Sequence, residues 1–304
     1  MKCLVTGAGG FIGSHVTREL LKRGNEVHII VKSDTDLWRI SNVKKDIDII
    51  CMDLASKEKV SAFFKGNRFQ RIFHLATYGV NPAQKDMNLI FKNNIISTMN
   101  LISSLSRDSF ESFIYAGSGF EYGFKDKPIK ETEELNPADI YSFSKASIST
   151  SIHAFSHANN LPMNIARLFL VYGKYETPTR LIPTLIRSYK NKEPPKLNSP
   201  SNTRDFIYIE DAVDAIIRLS ESYYCGEVFN IGSGREHTVK EVAEIVKEMF
   251  ASDMEPAWGA GIQHSFEPQH WCADISKAEK MLGWKPKNTL SQGIKKTLDA
   301  ESLT

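Results

Sequence analysis

Lys2 to Thr6 reads as a short strand, and it breaks directly into Gly7-Ala8-Gly9-Gly10-Phe11-Ile12-Gly13. Beyond that break, apolar residues recur at helical spacing: Phe11, Ile12, Val16, Leu20 and Leu21. Strand, glycine turn and helix in the first residues restrict the fold more than any other feature of the chain. In this arrangement the first glycine makes the tight turn, the second lets backbone approach a pyrophosphate, and the third lets helix and strand pack closely. The helix start then offers free N–H groups and a positive dipole end. The pattern predicts a dinucleotide loop, with Gly7, Gly10, Phe11, Ile12 and Gly13 as cofactor-binding residues.

The same alternation continues along the chain. Strands are expected at Glu26 to Val31, Asp46 to Cys51, Arg71 to Ala76, Phe113 to Ala116 and Met163 to Phe169. Helices are expected at Ser56 to Lys65 and near 85–106 and 140–159. Runs such as Val27-His28-Ile29-Ile30-Val31 are apolar almost throughout, as strands covered on both faces are. This predicts an α/β fold, a Rossmann-type doubly wound parallel sheet. After Gly173 prolines cluster, and 191–204 is a polar loop. Strands at Asp205 to Ile209 and Val228 to Ile231, and helices at Asp211 to Ser222 and Val239 to Phe250, follow. We therefore expect an NAD(P)-binding domain over 1–169, with a return segment near 205–222. A smaller C-terminal α/β substrate-binding lobe is expected over 170–304. Residues 251–273 have little pattern.

Composition narrows the function classes. The net charge of +2 argues against nucleic acid and polybasic membrane partners. Apolar runs are too short to span a bilayer, and the N-terminus reads as strand and turn rather than signal peptide. Cys3, Cys51, Cys225 and Cys272 lack metal-ligand spacing, so no metal is expected and free thiols in a cytoplasmic protein are.

The end of the second strand bears on cofactor choice. An NAD-type site has an acid there. This chain has Lys32 and Ser33, and with Arg39 they can hold a 2′-phosphate, which favours NADP (NADPH). Asp34 is the counter-signal, able to bind a ribose hydroxyl, so NAD stays open. Asp53-Leu54, after the third strand, suits an adenine contact, with Asp53 accepting from the exocyclic amine.

Tyr141 and Lys145 lie four apart on an expected helix, so they share a face. A free tyrosine is a poor base at neutral pH, and a neighbouring ammonium favours its phenolate. Lys145 can supply that charge and also bind a nicotinamide ribose. Tyr141 can then exchange a proton with a sugar oxygen. Ser118, upstream, can hydrogen-bond the same oxygen.

Glycine loop, serine and Tyr-x-x-x-Lys in this order resemble the extended short-chain dehydrogenase/reductases that act on nucleotide sugars. Further markers are His74-Leu75-Ala76, Asn94 with Ser97 replacing a family glycine, and Ser118 to Gly123. Arg167-Leu168-Phe169, Val171-Tyr172-Gly173, Arg204 to Ile209, Phe229 to Gly234 and Leu282 to Pro286 complete the set. The resemblance implies Ser118, Tyr141 and Lys145 as catalytic residues. It adds Leu75, Ala76, Thr77 and Asn94 to the cofactor site, and Tyr78, Ser118, Gly119, Phe120 and Arg204 to the sugar-nucleotide site. Arg204 is expected on the substrate diphosphate, where a permanently charged guanidinium binds with two N–H groups. A homodimer through the helices near 85–106 and 140–159 is carried over by analogy.

Three departures matter. Family dehydratases carry acids directly after the catalytic hydroxyl; here Gly119 and Phe120 follow, and Glu121 is one place late. A shift of one residue in a strand-like segment turns the side chain to the other face, which argues against dehydration, whereas a looped backbone could bring Glu121 back. Position 170, often asparagine, is Leu170. A late arginine is missing where Gln263 and His264 stand, with His264 or His270 as possible substitutes. The expected activity is NADP-dependent reduction of the C4 ketone of a nucleotide-linked 4-keto-6-deoxy sugar, in biosynthesis of surface polysaccharide or glycoconjugate. The alternatives are a nucleotide-sugar epimerase with retained NAD and, from another class, a non-catalytic dinucleotide sensor.

Overall fold

The computed structural model describes residues 1–81, 83–261 and 270–301. The chain divides into two compact units: 1–121, 135–167 and 213–229 form the first, and 122–134, 168–212 and 230–304 the second.

The first unit opens with β1 (Lys2–Thr6), α1 (Phe11–Lys22), β2 (Glu26–Val31), β3 (Ile47–Cys51), α2 (Lys57–Gly66) and β4 (Arg71–His74). Next come α3 (Met87–Ile90), a π-helical segment (Phe91–Ile96) and α4 (Ser97–Ser103), which run on as one helix. Then follow β5 (Ser112–Ser118), α5 (Ile140–Asn159) and β6 (Met163–Leu168). The second unit adds β7 (Leu170–Tyr172), α6 (Leu181–Lys190), β8 (Lys196–Leu197) and β9 (Thr203–Tyr208). The chain continues through α7 (Ile209–Ser220), β10 (Val228–Ile231), β11 (Glu236–Thr238), α8 (Val239–Met249), β12 (Ala257–Trp258), α9 (Ser276–Leu282) and α10 (Leu290–Glu301).

A seven-stranded sheet has the order β10-β6-β5-β4-β1-β2-β3. The pairings of β1 with β2 and β4, β2 with β3, and β4 with β5 are all parallel. Strand order reverses at β1, whose neighbours are β2 and β4. In open parallel sheets a ligand crevice forms at that reversal, beyond the carboxyl ends of the strands. The core on one face joins Leu4, Phe113 and Ile165 of the strands to Val60 of α2, Leu101 of α4 and Ile148 of α5. Burying each such side chain contributes roughly 1.5–3 kcal/mol. β2 is buried from Val27 to Val31, as its apolar run requires. β3 is the sheet edge and leaves Ile49 exposed.

Two boundaries differ from the sequence pattern in ways that matter for function. β5 extends to Ser118, so this serine is the last residue of the strand. The segment after it is not strand-like: Gly119–Tyr122 is a 3₁₀ turn. The helix expected near 85–106 spans 87–103 and contains the π segment, an extra residue per turn that apolar spacing does not reveal. Asp86 caps its start, accepting from the N–H groups of Asn88 (2.8 Å) and Leu89 (3.1 Å).

The second unit contains a three-stranded sheet β11-β9-β7 and a pair β12-β8. Asp205 organises it. Its buried carboxylate accepts from the Ser233 N–H and hydroxyl and from the Gly234 and Ala273 N–H groups. Burial pushes its carboxyl up, and these bonds oppose the shift. The segment 122–134 joins through Ile129, which donates its N–H to Cys272 and accepts from the Asp274 N–H. All four cysteines are free. Among the described residues no helix is long and apolar enough to cross a membrane. Gln263 and His264 lie outside the described residues.

Candidate active site

Because β1 to β5 run parallel, the segments that follow them gather at one edge of the sheet. Gly7, Lys32, Asp53, Leu75 and Ser118 all stand at or just beyond the carboxyl end of a strand. Chain alternation places them there, although they are far apart in sequence.

The glycine loop has the backbone the sequence predicts. Gly7 has φ +75°, and a Cβ on it would stand 2.5 Å from the Ala76 nitrogen. Gly10 donates its N–H to the Gly7 carbonyl at 3.0 Å and caps α1 without a side chain. A Cβ on Gly13 would meet the Gly7 oxygen at 2.1 Å, so helix and turn touch through bare backbone. α1 has no side-chain cap and no acid in its first turn, which includes Phe11 and Ile12. Uncapped N–H groups at a positive dipole end suit a phosphate. These are the features a dinucleotide needs, and the loop fits one.

Lys32, Ser33 and Arg39 follow β2. The Lys32 ammonium donates to the Asn93 side chain and stands 4.0 Å from Asp53. Arg39 donates to the Gly9 carbonyl at 3.3 Å and lies over the Trp38 ring. Ser33 and Asp34 are exposed. Asp53 accepts from the Ala55 N–H and has Lys92 at 3.6 Å. Burial is the largest single influence on its carboxyl and pushes it up. The Ala55 bond, Lys32 and Lys92 together outweigh burial and hold it below the usual carboxylate range. Leu54 is buried and accepts from the Asn100 amide at 3.0 Å.

The segment after β4 is held by a chain of hydrogen bonds through His74. Burial, and then the Lys145 charge, push this imidazole down to about 3, so it is neutral. Thr98 donates its hydroxyl proton to the Asn94 carbonyl at 2.5 Å and so accepts from His74 Nε2 at 2.7 Å. His74 Nδ1 must then accept from the Thr6 hydroxyl at 2.7 Å, while Thr6 accepts the Ala76 N–H at 3.3 Å. One tautomer satisfies the whole chain.

Asn94 lies in the π segment, where the sequence reading expects a cofactor contact. Here it clamps the protein to itself. Its amide donates to the Tyr78 carbonyl and the Ser144 hydroxyl, both at 2.9 Å. Its carbonyl accepts from the Tyr78 N–H at 2.8 Å and the Thr77 hydroxyl at 3.4 Å. Ser97, where the family has glycine, donates its hydroxyl to the Lys92 carbonyl at 3.0 Å. The extra residue of the π segment is thus tied down by a side chain.

Tyr141 is in the first turn of α5, which Asp139 caps by accepting the Ser142 N–H at 2.6 Å. Its ring faces Gly79, where a Cβ would stand 3.3 Å from Cδ2. Lys145 is buried, donates to the Ala116 carbonyl at 2.7 Å and lies 4.6 Å over the Tyr115 ring. Burial pushes its ammonium down to about 8, and Glu121 acts in the opposite direction. Ser118 is buried; its Oγ accepts the Phe120 N–H at 3.2 Å. Ser118, Gly119, Phe120, Tyr141 and Lys145 all belong to the first unit, and Arg204 to the second. Arg204 is on β9 and donates to the Thr203 carbonyl. Leu170 pairs with Phe206, and His270 lies 3.3 Å from Glu236.

The sequence reading missed what Glu121 does. Its carboxylate is fully buried, accepts the Ser118 N–H at 2.7 Å and pairs with Arg167 at 2.8 Å. A signal was present: single charges in Phe120-Glu121-Tyr122 and Ala166-Arg167-Leu168, within otherwise uncharged runs. Among the described residues, one group has metal-ligand chemistry: Glu26 and His28 on β2 with Asp48 on β3. There His28 already bonds Glu26 at 2.7 Å.

Residues 3–232 match the model of the NAD dependent epimerase/dehydratase family. An uncharacterized UDP-glucose epimerase of Bacillus subtilis is 28% identical, with 97% of this chain and 96% of that protein covered. A trifunctional 4,6-dehydratase, 3,5-epimerase and 4-keto-L-rhamnose reductase of Arabidopsis thaliana is 29% identical over 97% of this chain and 46% of its own length. The crystal structure of a UDP-glucuronic acid 4-epimerase mutant from Bacillus cereus, bound to a fluorinated UDP-sugar and NAD, superposes with a TM-score of 0.89. It is 26% identical, with both chains covered in full. Sheet order, glycine loop and family match together establish that this chain belongs to the NAD dependent epimerase/dehydratase family, whose members act on nucleotide sugars.

Proposed function

We propose that this chain reduces the C4 ketone of a nucleotide-linked 4-keto-6-deoxy sugar with NADPH. The observation that carries the reading is the state of Glu121. Dehydration needs an acid to protonate the leaving hydroxyl, and the residues directly after Ser118 are Gly119 and Phe120. Glu121, the acid in that turn, is committed to Arg167 and to the Ser118 N–H. Ser118, Tyr141 and Lys145 remain, a set suited to exchanging a proton at a carbonyl oxygen.

The dinucleotide is proposed to lie on Gly7, Gly10, Phe11, Ile12 and Gly13, with Asp53 and Leu54 at the adenine and Leu75, Ala76 and Thr77 further along. Bound there, the nicotinamide supplies the hydride. Ser118 hydrogen-bonds the C4 oxygen and fixes its direction. Tyr141 gives that oxygen a proton, and the Lys145 charge stabilises the phenolate left behind. Tyr78 and Phe120 are proposed sugar contacts, and Arg204, in the second unit, the ligand of the substrate diphosphate.

A second reading, epimerisation with a retained nicotinamide, is supported by relatives whose names are epimerases, among them the NAD-bound Bacillus cereus structure. One assay separates the two. Purified protein is mixed with NADPH and a panel of nucleotide-linked 4-keto-6-deoxy sugars, and absorbance of the reduced nicotinamide is followed. Stoichiometric consumption is expected. Isomer formation without consumption would replace the reductase with the epimerase, and no turnover across a broad panel would favour the sensor.

The preference for NADP rests on Lys32, Ser33 and Arg39. Lys32→Asp is expected to weaken NADPH more than NADH in a fluorescence titration. Equal losses would mean that Lys32 does not read the 2′-phosphate. We also propose a homodimer through the helices at 87–103 and 140–159. Large apolar side chains stand exposed there: Met87, Leu89, Ile96 and Met99 on the first, Ile140 and Phe143 on the second. Sedimentation of the purified chain as a monomer would remove this proposal.

A further inference from the structure

We propose that Glu121 is a positioning residue of the acid–base centre, anchoring the Ser118 backbone with one carboxylate oxygen while Arg167 holds the other, and setting a fixed negative charge near Lys145. The inference rests on reading Ser118, Tyr141 and Lys145 as that centre.

The geometry is that of a built device. Oε1 accepts the Ser118 N–H at 2.7 Å and Oε2 accepts Arg167 Nε at 2.8 Å. The side chains of Arg167 and Glu121 are 5% and 0% exposed, so both charges are out of water. Gly117 makes the space: a Cβ there would stand 2.8 Å from Glu121 Oε1 and 3.1 Å from Arg167 Cγ. A buried ion pair gives little net stability compared with apolar side chains of the same volume. Stability therefore gives little reason for placing this pair directly beneath the end of β5. Orientation does: the 3₁₀ turn brings the carboxylate back to the N–H of Ser118, the last residue of β5.

Charge gives a second reason. Among the described residues, the groups that touch Lys145 or share its electrostatics are Tyr115 on β5, His74 on β4 and Glu121, which is paired with Arg167; Tyr141 lies one turn earlier on its helix. His74 is neutral, and Tyr115 stays protonated, through burial first and then Glu121 and Tyr141. Glu121 is thus the anion in the group, and the one influence that opposes the effect of burial on Lys145. Below about 8 the ammonium is charged and above it neutral. Removing the Glu121 charge moves that midpoint down, so that less of Lys145 is charged at neutral pH.

The test uses two double variants of the full chain, because Glu121→Gln alone strands the Arg167 charge in the interior. E121Q/R167M removes both charges and keeps a carbonyl to accept the Ser118 N–H. E121V/R167M removes that acceptor too. Lys145 is titrated by NMR in protein carrying ¹³C-labelled lysine, without sugar or dinucleotide. We expect the midpoint to fall by about half a unit or more in both variants, which a purely structural role would not cause. The alkaline limb of turnover is expected to move the same way. E121V/R167M is expected to turn over about tenfold more slowly than E121Q/R167M, as an unsatisfied buried N–H frees Ser118. An unmoved midpoint, or equal turnover in the two variants, overturns the proposal. In the intact chain, rapid hydrogen exchange of the Ser118 amide also overturns it, with no variant needed. Failure of the reductase reading would show separately, as absence of NADPH consumption by the intact chain, and the titration would still decide the role of Glu121.

Discussion

Tyr141→Phe is expected to lower turnover roughly 10²–10⁴-fold, the range for losing a positioned general acid, and to leave dinucleotide affinity nearly intact. The substitution removes one oxygen and keeps the ring that packs toward Gly79. Backbone and helix cap stay as they are, because Asp139 and Ser142 carry the cap. The loss should therefore appear in kcat, while Tm and the dinucleotide Kd hold steady. Stopped-flow absorbance and a dinucleotide titration on the same preparation measure both. A fully active variant would remove Tyr141 from the mechanism, and with it the reason for burying a cation at Lys145.

Gly13→Ala is expected to damage both stability and dinucleotide affinity. The added methyl would lie 2.1 Å from the Gly7 oxygen and 2.7 Å from the Gly7 carbonyl carbon, both backbone atoms in the tightest part of the loop. No rotamer relieves that clash, so α1 must move away from the turn. Overpacking of this kind costs about 1–3 kcal/mol. Moving the helix also moves its uncapped N–H groups away from the proposed phosphate position. A loss of about 1.4 kcal/mol there would be tenfold in Kd. Gly66→Ala is the control, since a Cβ at Gly66 meets nothing within 4 Å. Thermal melts and dinucleotide titrations should separate the two variants. If Gly13→Ala bound dinucleotide like the intact chain, the glycine loop would not be the phosphate site.

Much of the first unit was readable in advance, because its cues are local. Glu26–Val31 and Val228–Ile231 match the predicted strands residue for residue, and α5 runs over 140–159 as predicted. A glycine loop between strand and helix is recognisable because the backbone there tolerates no side chain. Tyr141 and Lys145 are recognisable because helical pitch alone puts them on one face. Sequence could not show that β3 is an edge strand with Ile49 exposed, since edge and centre differ only in what packs beside them.

What the chain's own order of residues determined is therefore the parallel α/β sheet and the position of the glycine loop, features governed by hydrogen-bond periodicity and by glycine. Only tertiary structure decided the environment of the reacting groups. Glu121 and Arg167 are 46 positions apart and meet because a 3₁₀ turn folds back beneath β5. Asn94, within the π segment, reaches Tyr78 and Ser144, 16 and 50 positions away. The proton order through Thr6, His74 and Thr98 follows from burial, which keeps the imidazole neutral. Spacing rules describe neighbours along the chain. Charge, protonation and orientation depend on which groups lie close in space, and that is settled when the strands and helices pack.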